Sequence, residues 1–119
     1  MGKGIEIKTI QKYSYMAFSS RSGKNDTKAV IMLTDANSFL GYLHFMTDGC
    51  VLPQTEKKYN LYYFYYHFSD MPVIVDMLRN EGPVYIFYMD DNRENCRIST
   101  TMELVGEGEN NKQWNNSGF

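Results

Sequence analysis

The stretch from Asn60 to Asp70 reads NLYYFYYHFSD, and six of the seven residues from Tyr62 to Phe68 are aromatic. Side chains alternate between the two faces of a β-strand, so an extended segment of this composition is apolar on both faces. A strand with one face in water would instead alternate apolar and polar residues. This segment constrains the fold strongly, because both of its faces must be covered.

Each face of the aromatic segment carries four residues. One face is formed by Tyr62, Phe64, Tyr66 and Phe68. The other is formed by Leu61, Tyr63, Tyr65 and His67. A large aromatic side chain buries about 150 to 250 Å², so four left uncovered would expose roughly 600 to 1,000 Å². Monomers rarely expose so large an apolar patch, which is similar in size to one partner's share of a standard interface, about 800 Å².

Three kinds of covering are open. The sheet can curl into a filled barrel, a small hydrophobic ligand or a foreign protein can bind, or a second copy can bind, and two-fold homo-oligomers are the commonest soluble assemblies. The sequence favours a nonenzymatic, self-associating binding or adaptor protein, a dimer or larger. The alternative is a small-molecule-binding protein with an aromatic and Met-lined cavity. The candidate binding or interface residues are Tyr62, Phe64, Tyr66, Phe68, Tyr63, Tyr65, His44 and His67.

The rest of the chain alternates between strands and one helix. Ala29 to Thr34 and Phe39 to Met46 are two apolar runs joined by four polar or small residues, which predicts a hairpin. Met71 to Asn80 has apolar residues at helical spacing and a proline in its first turn, which predicts an amphipathic helix. Further strands are predicted at Tyr13 to Ser20, Pro83 to Met89 and Cys96 to Val105.

These elements predict an α+β fold, an antiparallel-rich sheet of about six strands with one helix packed on a face. The 119 residues fit a single domain over 1–105, followed by a flexible tail over 106–119 whose composition is polar and aperiodic.

Charge and targeting signals limit the partners. The net charge is -2 and Lys57-Lys58 is the only adjacent basic pair, so neither nucleic acid nor an anionic membrane is an expected partner. The N-terminal residues lack the apolar stretch of a secretory signal, which predicts a cytoplasmic protein. In that compartment Cys50 and Cys96 are expected to be free thiols.

The two histidines are the strongest candidates for chemistry. His44 and His67 lie in apolar strands and approach each other if those strands pair. A zinc site needs further ligands, and neither an HxH nor a CxxC spacing is present. Both histidines are therefore interpreted as structural, and no catalytic residue, metal or cofactor is expected.

Two short segments carry a family resemblance. Leu78 to Tyr85 reads LRNEGPVY, and Ser99 to Glu109 reads STTMELVGEGE. The chain resembles small uncharacterised bacterial proteins of the integron or mobile gene cassette type, with motifs LRNExPVY and TxxExVGEGE. Their pattern has proline where this chain has Leu104. The resemblance implies a mobile accessory gene product and no particular activity, which is compatible with a binding or adaptor role.

Overall fold

The computed structural model describes residues 4–21 and 23–100, which form eight strands, one α-helix and two 3₁₀ turns. In chain order the strands and the helix are β1 (Ile5–Ile10), β2 (Lys12–Ala17), β3 (Thr27–Thr34), β4 (Phe39–Met46), β5 (Glu56–Lys58), β6 (Leu61–His67), α1 (Met71–Asn80), β7 (Val84–Met89) and β8 (Arg97–Thr100). The 3₁₀ turns span Phe68–Asp70 and Arg93–Asn95. The predicted α+β class is confirmed, and so are the helix and the β3–β4 hairpin.

The strand count and the number of sheets differ from the prediction of about six strands in one sheet. The described strands form a five-stranded sheet in the order β2-β3-β4-β6-β5 and a three-stranded sheet in the order β1-β7-β8. β1 and β5 were not predicted. β1 is mostly exposed, and β5 has only three residues, all charged, so neither carries an apolar core pattern.

The β5–β6 connection is a tight hairpin with an uncommon sequence. Tyr59 and Asn60 both have positive φ, 55° and 63°, as the two central residues of a type I′ turn require. Tyrosine rarely adopts this conformation, whereas Asn-Gly is the usual signal. The sequence therefore gives little indication of this turn, and Tyr59 itself is 88% exposed.

The five-stranded sheet is mixed. The pairs β2–β3, β3–β4 and β5–β6 are antiparallel, whereas β4 and β6 are parallel, with Leu43 beside Phe64 and His44 beside Tyr65. Gln11 alone separates β1 from β2, so one nearly continuous segment of chain runs from the small sheet into the large one. This continuity places the two sheets against each other.

The core lies between the inner face of the five-stranded sheet and a layer made of α1 and the three-stranded sheet. From the large sheet it takes alternate residues of β3, β4 and β6, among them Leu43, Phe45 and Phe64. From the other layer it takes Ile74 of the helix and Ile86 of β7. The prediction that the helix covers one face of the aromatic strand is confirmed, and the second sheet covers that face too.

Two predictions at the C-terminus lie wholly or partly outside the described residues. The predicted last strand, Cys96 to Val105, is represented by β8, which extends to Thr100, where the described residues end. The proposed domain boundary at 105 and the tail over 106–119 fall beyond that point. Within residues 4–21 and 23–100, no helix has the length and apolar character that crossing a bilayer requires.

Candidate functional site

The outer face of the five-stranded sheet carries a row of aromatic side chains on its two central strands. We call Tyr42, His44, Tyr63 and Tyr65 the outer aromatic face. Strand register places Tyr42 beside Tyr63 and His44 beside Tyr65, all on the side opposite Leu43 and Phe64. Because α1 and the small sheet pack on the inner face, neither covers this surface.

The four rings of the outer aromatic face contact one another, and His44 stacks on both Tyr63 and Tyr65. The ring centroids of His44 and Tyr65 are 5.3 Å apart with planes 17° from parallel, and those of Tyr42 and Tyr63 are 5.4 Å apart at 30°. His44 also stacks on Tyr63, at 6.4 Å and 17°. These contacts cover part of each ring face, so less ring face is left open to a partner.

Burial keeps His44 neutral. Its ring is half-buried among the neighbouring rings, and this desolvation lowers the pKa of His44 from its ordinary value. Its Nδ1 lies 3.5 Å from the hydroxyl of Thr27. The outer aromatic face is therefore without a histidine charge at neutral pH.

The two histidines do not form a joint site. His67 pairs with Met46, two positions beyond the His44 and Tyr65 pair, and its Nε2 donates to the carbonyl oxygen of Cys50 at 2.8 Å. Among the described residues no group of three or more His, Cys, Asp or Glu side chains is placed to hold a metal. Each histidine has its own structural partner, and Cys50 and Cys96 are free thiols as predicted.

The outer aromatic face is bordered on the β5 side by one acidic and one basic side chain, whose charges offset each other. Glu56 and Lys58 of β5 point to the same side as Tyr63, and their carboxylate and ammonium groups are 3.6 Å apart. The Tyr65 hydroxyl donates to Glu56 at 3.4 Å, while Lys58 lies over the Tyr63 ring at 5.5 Å. One acid and one base therefore border the rings.

The structure divides the predicted interface residues into three groups. Tyr63, Tyr65, His44 and His67 lie on the outer face. Tyr62 and Phe64 are each 2% exposed and belong to the core, against which Tyr66 also packs while stacking on Phe45. Phe68 has left the strand for the 3₁₀ turn that precedes α1, and is 40% exposed.

Sequence reasoning missed Tyr42. It shares a face with His44 because the two are separated by one residue of β4, a spacing visible in the sequence. What the sequence did not reveal is that β4 lies beside β6, which makes Tyr42 part of the same cluster as Tyr63. Phe39 extends the row, with its ring edge-on to Tyr42 at 5.0 Å.

A cleft beside β6 can be compared with the predicted ligand cavity. It measures about 260 Å³ and is lined partly by Leu52, Phe64, Tyr66, Arg93 and Cys96. Its lining contains no methionine. Drug-sized ligands occupy pockets of about 300 to 1,000 Å³, so this cleft is smaller than the small-molecule alternative requires. A second, more open groove measures about 380 Å³, and its lining includes Tyr15, Phe68 and Met71.

A polar contact joins β1 of the three-stranded sheet to β5 and β6 of the five-stranded sheet. Glu6 of β1 accepts hydrogen bonds from the Tyr62 hydroxyl at 2.5 Å and from Lys57 Nζ at 2.8 Å. The hydrogen bond from Lys57, followed by that from Tyr62, lowers the pKa of Glu6 below its ordinary value. Burial and the bond to Glu6 raise the pKa of Tyr62, so the phenol remains the donor.

We expect Glu6→Gln to lower the free energy of unfolding by about 0.5 to 1 kcal/mol at neutral pH, because the contact is partly exposed and screened. The folded-state pKa of Glu6 is depressed, so its stabilisation is present above the unfolded pKa and lost as pH falls through the folded value. Urea unfolding at pH 7 and at steps below pH 4.5, the ordinary value, checks this. A difference between wild type and Glu6→Gln that persists undiminished in acid would contradict the assignment.

No protein family, no curated protein and no solved structure matches this chain. The resemblance to mobile gene cassette proteins therefore stays a prediction, and the outer aromatic face must be interpreted from its own geometry.

Proposed function

We propose that this protein is a nonenzymatic module that self-associates through its outer aromatic face. The observation that carries the proposal is the set of four rings in contact with one another on a sheet face that neither α1 nor the second sheet covers. Tyrosine and methionine are enriched at the centres of protein interfaces, and Met32 of β3 lies beside Tyr42 in the same cross-strand row. We place this module in the bacterial cytoplasm as a mobile-cassette gene product.

The ring arrangement favours a protein surface over a flat ligand. A planar ligand gains most by stacking on an open aromatic face. In this cluster the ring faces are partly covered by contacts among Tyr42, His44, Tyr63 and Tyr65. The ring edges and tyrosine hydroxyls that remain suit a close-packed partner surface, because tyrosine supplies rigid contact area and a hydrogen-bonding group at low entropic cost.

The charge balance favours a second copy as the partner. A two-fold interface sets each patch against itself, so a patch of one sign would repel its own copy. Here His44 is uncharged at neutral pH, and Glu56 compensates Lys58 at the border. The four rings and their β5 border therefore bring no net charge to a self-paired interface.

Substitution at the centre of the cluster tests the proposal. We expect the wild type to be a dimer or larger and Tyr63→Glu to be a folded monomer, since Tyr63 contacts both Tyr42 and His44. A central tyrosine is worth about 2 kcal/mol in such interfaces. Because both copies lose it, the dissociation constant should rise roughly 10³-fold. Size-exclusion chromatography with light scattering over a concentration series measures the mass.

Val51→Glu is the matched control, because Val51 is 91% exposed in a loop and lies outside the cluster. It introduces the same charge and should leave the mass unchanged. The proposal fails if the wild type is a monomer at every concentration, or if Tyr63→Glu keeps the wild-type mass while its circular dichroism shows a native fold.

A further inference from the structure

The outer edge of β2 carries backbone groups that no described strand pairs with. β2 is the end strand of the five-stranded sheet, and its partner β3 lies on one side only. The Phe18 amide donates to the Lys28 carbonyl, which fixes the phase of the β2–β3 ladder. In an antiparallel ladder alternate residues point their backbone groups away from the partner strand, and here these are Tyr13, Tyr15 and Ala17.

An apolar groove runs beside this edge, between β2 and the start of α1. It has a volume of about 380 Å³, enough for one or two large side chains. Its lining is Tyr15, Phe68, Ser69, Met71, Pro72 and Val75. Tyr15 and Phe68 remain 52% and 40% exposed, so the groove is open to a partner.

Together the edge and the groove define the shape of an occupant. Unpaired N–H and C=O groups along a strand select an extended backbone, which adds to the sheet as a further strand. Because successive side chains of a strand alternate, one side chain of the added segment would enter the groove beside Tyr15 while its neighbours point away.

The charge along β2 distinguishes between a second copy and a foreign peptide. β2 and the loop that follows it carry Lys12, Arg21 and Lys24 before the first carboxylate, Asp26. Asp70, between the groove residues Ser69 and Met71, lies on the α1 side of the groove. Antiparallel pairing of β2 with β2 of a second copy would bring Lys12 of one copy towards Arg21 of the other. Like charges at close range are unfavourable, so this edge is better matched by an acidic segment.

We propose that the free edge of β2 and the adjoining α1 groove form a binding site for an extended peptide with a large apolar residue between acidic flanks. The peptide pairs with the backbone of Tyr15 and Ala17, and its apolar side chain contacts Phe68 in the groove. This site is separate from the outer aromatic face, because Tyr15 and Phe68 contribute none of the stacked rings there.

Selection from a phage-displayed library of random dodecapeptides against the full chain tests the site. We expect enriched peptides to share an aromatic or large aliphatic residue flanked by aspartate or glutamate. Fluorescence anisotropy with one enriched peptide should show a Kd at least about tenfold higher for Phe68→Asp than for the wild type. The matched control is Val73→Asp, since Val73 is 67% exposed on α1 but does not line the groove, and it should leave the Kd unchanged.

Ala17→Pro tests the backbone pairing independently. It removes an N–H group that points away from β3, and proline is tolerated at such edge positions. We expect Ala17→Pro to weaken peptide binding to the same extent while the protein still unfolds cooperatively. If Ala17→Pro is unfolded, the comparison of Phe68→Asp with its control Val73→Asp tests the proposal without it. No enrichment of peptides, enrichment of basic ones, or binding that survives Phe68→Asp would each overturn the proposal. So would a wild-type oligomer that Ala17→Pro dissociates and Tyr63→Glu does not, because β2 would then pair with a second copy.

Discussion

Phe64→Glu should abolish folding at 25 °C, although Tyr63→Glu, one residue earlier in β6, should leave the chain folded. Phe64 is 2% exposed in the core, so its replacement removes a buried aromatic ring at a cost of about 3 to 5 kcal/mol. The new carboxyl group must also be buried. Burial raises a carboxyl pKa by up to about 3 to 5 units, and remaining neutral at pH 7 then adds several kcal/mol. The sum is comparable to the whole stability of a typical domain, about 5 to 15 kcal/mol.

Circular dichroism and thermal unfolding measure this directly. Phe64→Leu is the conservative control, because it keeps an apolar side chain and should cost less than about 1.5 kcal/mol if the core repacks around it. A cooperative, wild-type-like unfolding transition for Phe64→Glu would contradict the placement of this residue. The two variants therefore report on the two faces of one strand. Tyr63→Glu tests the outer face through the oligomeric mass, and Phe64→Glu tests the inner face through folding.

The difference between these neighbours explains what the sequence could and could not predict. Strict alternation along Tyr62 to His67 assigned the residues to two sets, and the structure confirms both sets. Which set is buried depends on what packs on each face. Every one of these side chains is large and mostly apolar, so the pattern itself has no polar side to mark the outside.

Local signals identified the elements that depend on local physics. The α1 helix follows from its spacing and from Pro72, and the β3–β4 hairpin follows from the polar loop, where the Asp35 carboxylate accepts from the amides of Asn37 and Ser38, each at 2.7 Å. The parallel pairing of β4 with β6 joins strands separated by the loop over 47–55 and by β5, and no local residue pattern encodes it. That pairing creates the outer aromatic face, which is why Tyr42 was missed while His44 was found.

Gly41→Ala should be among the most damaging single-methyl changes in the chain. Gly41 lies in β4 directly beside Tyr62 of β6, with φ at 156°. A Cβ atom at this position would lie 2.7 Å from the Tyr62 amide nitrogen and still closer to its carbonyl oxygen. Both atoms belong to backbone in the middle of a sheet, so neither can move without displacing a strand. Overpacking and backbone strain each cost about 1 to 3 kcal/mol, and we expect a loss of at least about 3 kcal/mol.

Gly49→Ala isolates the conformational part of that cost. Gly49 also has positive φ, 84°, but a Cβ there would meet no other atom within 4 Å. Its substitution should cost about 1 kcal/mol from backbone strain alone. Urea unfolding measures the loss of unfolding free energy in each variant, and the difference between the two losses is the cost of the steric clash at Gly41. If Gly41→Ala were no less stable than Gly49→Ala, β4 and β6 would not approach each other at Gly41 and Tyr62. The register that stacks Tyr42 on Tyr63 would then be wrong as well, so this one methyl group tests both the fold and the outer aromatic face.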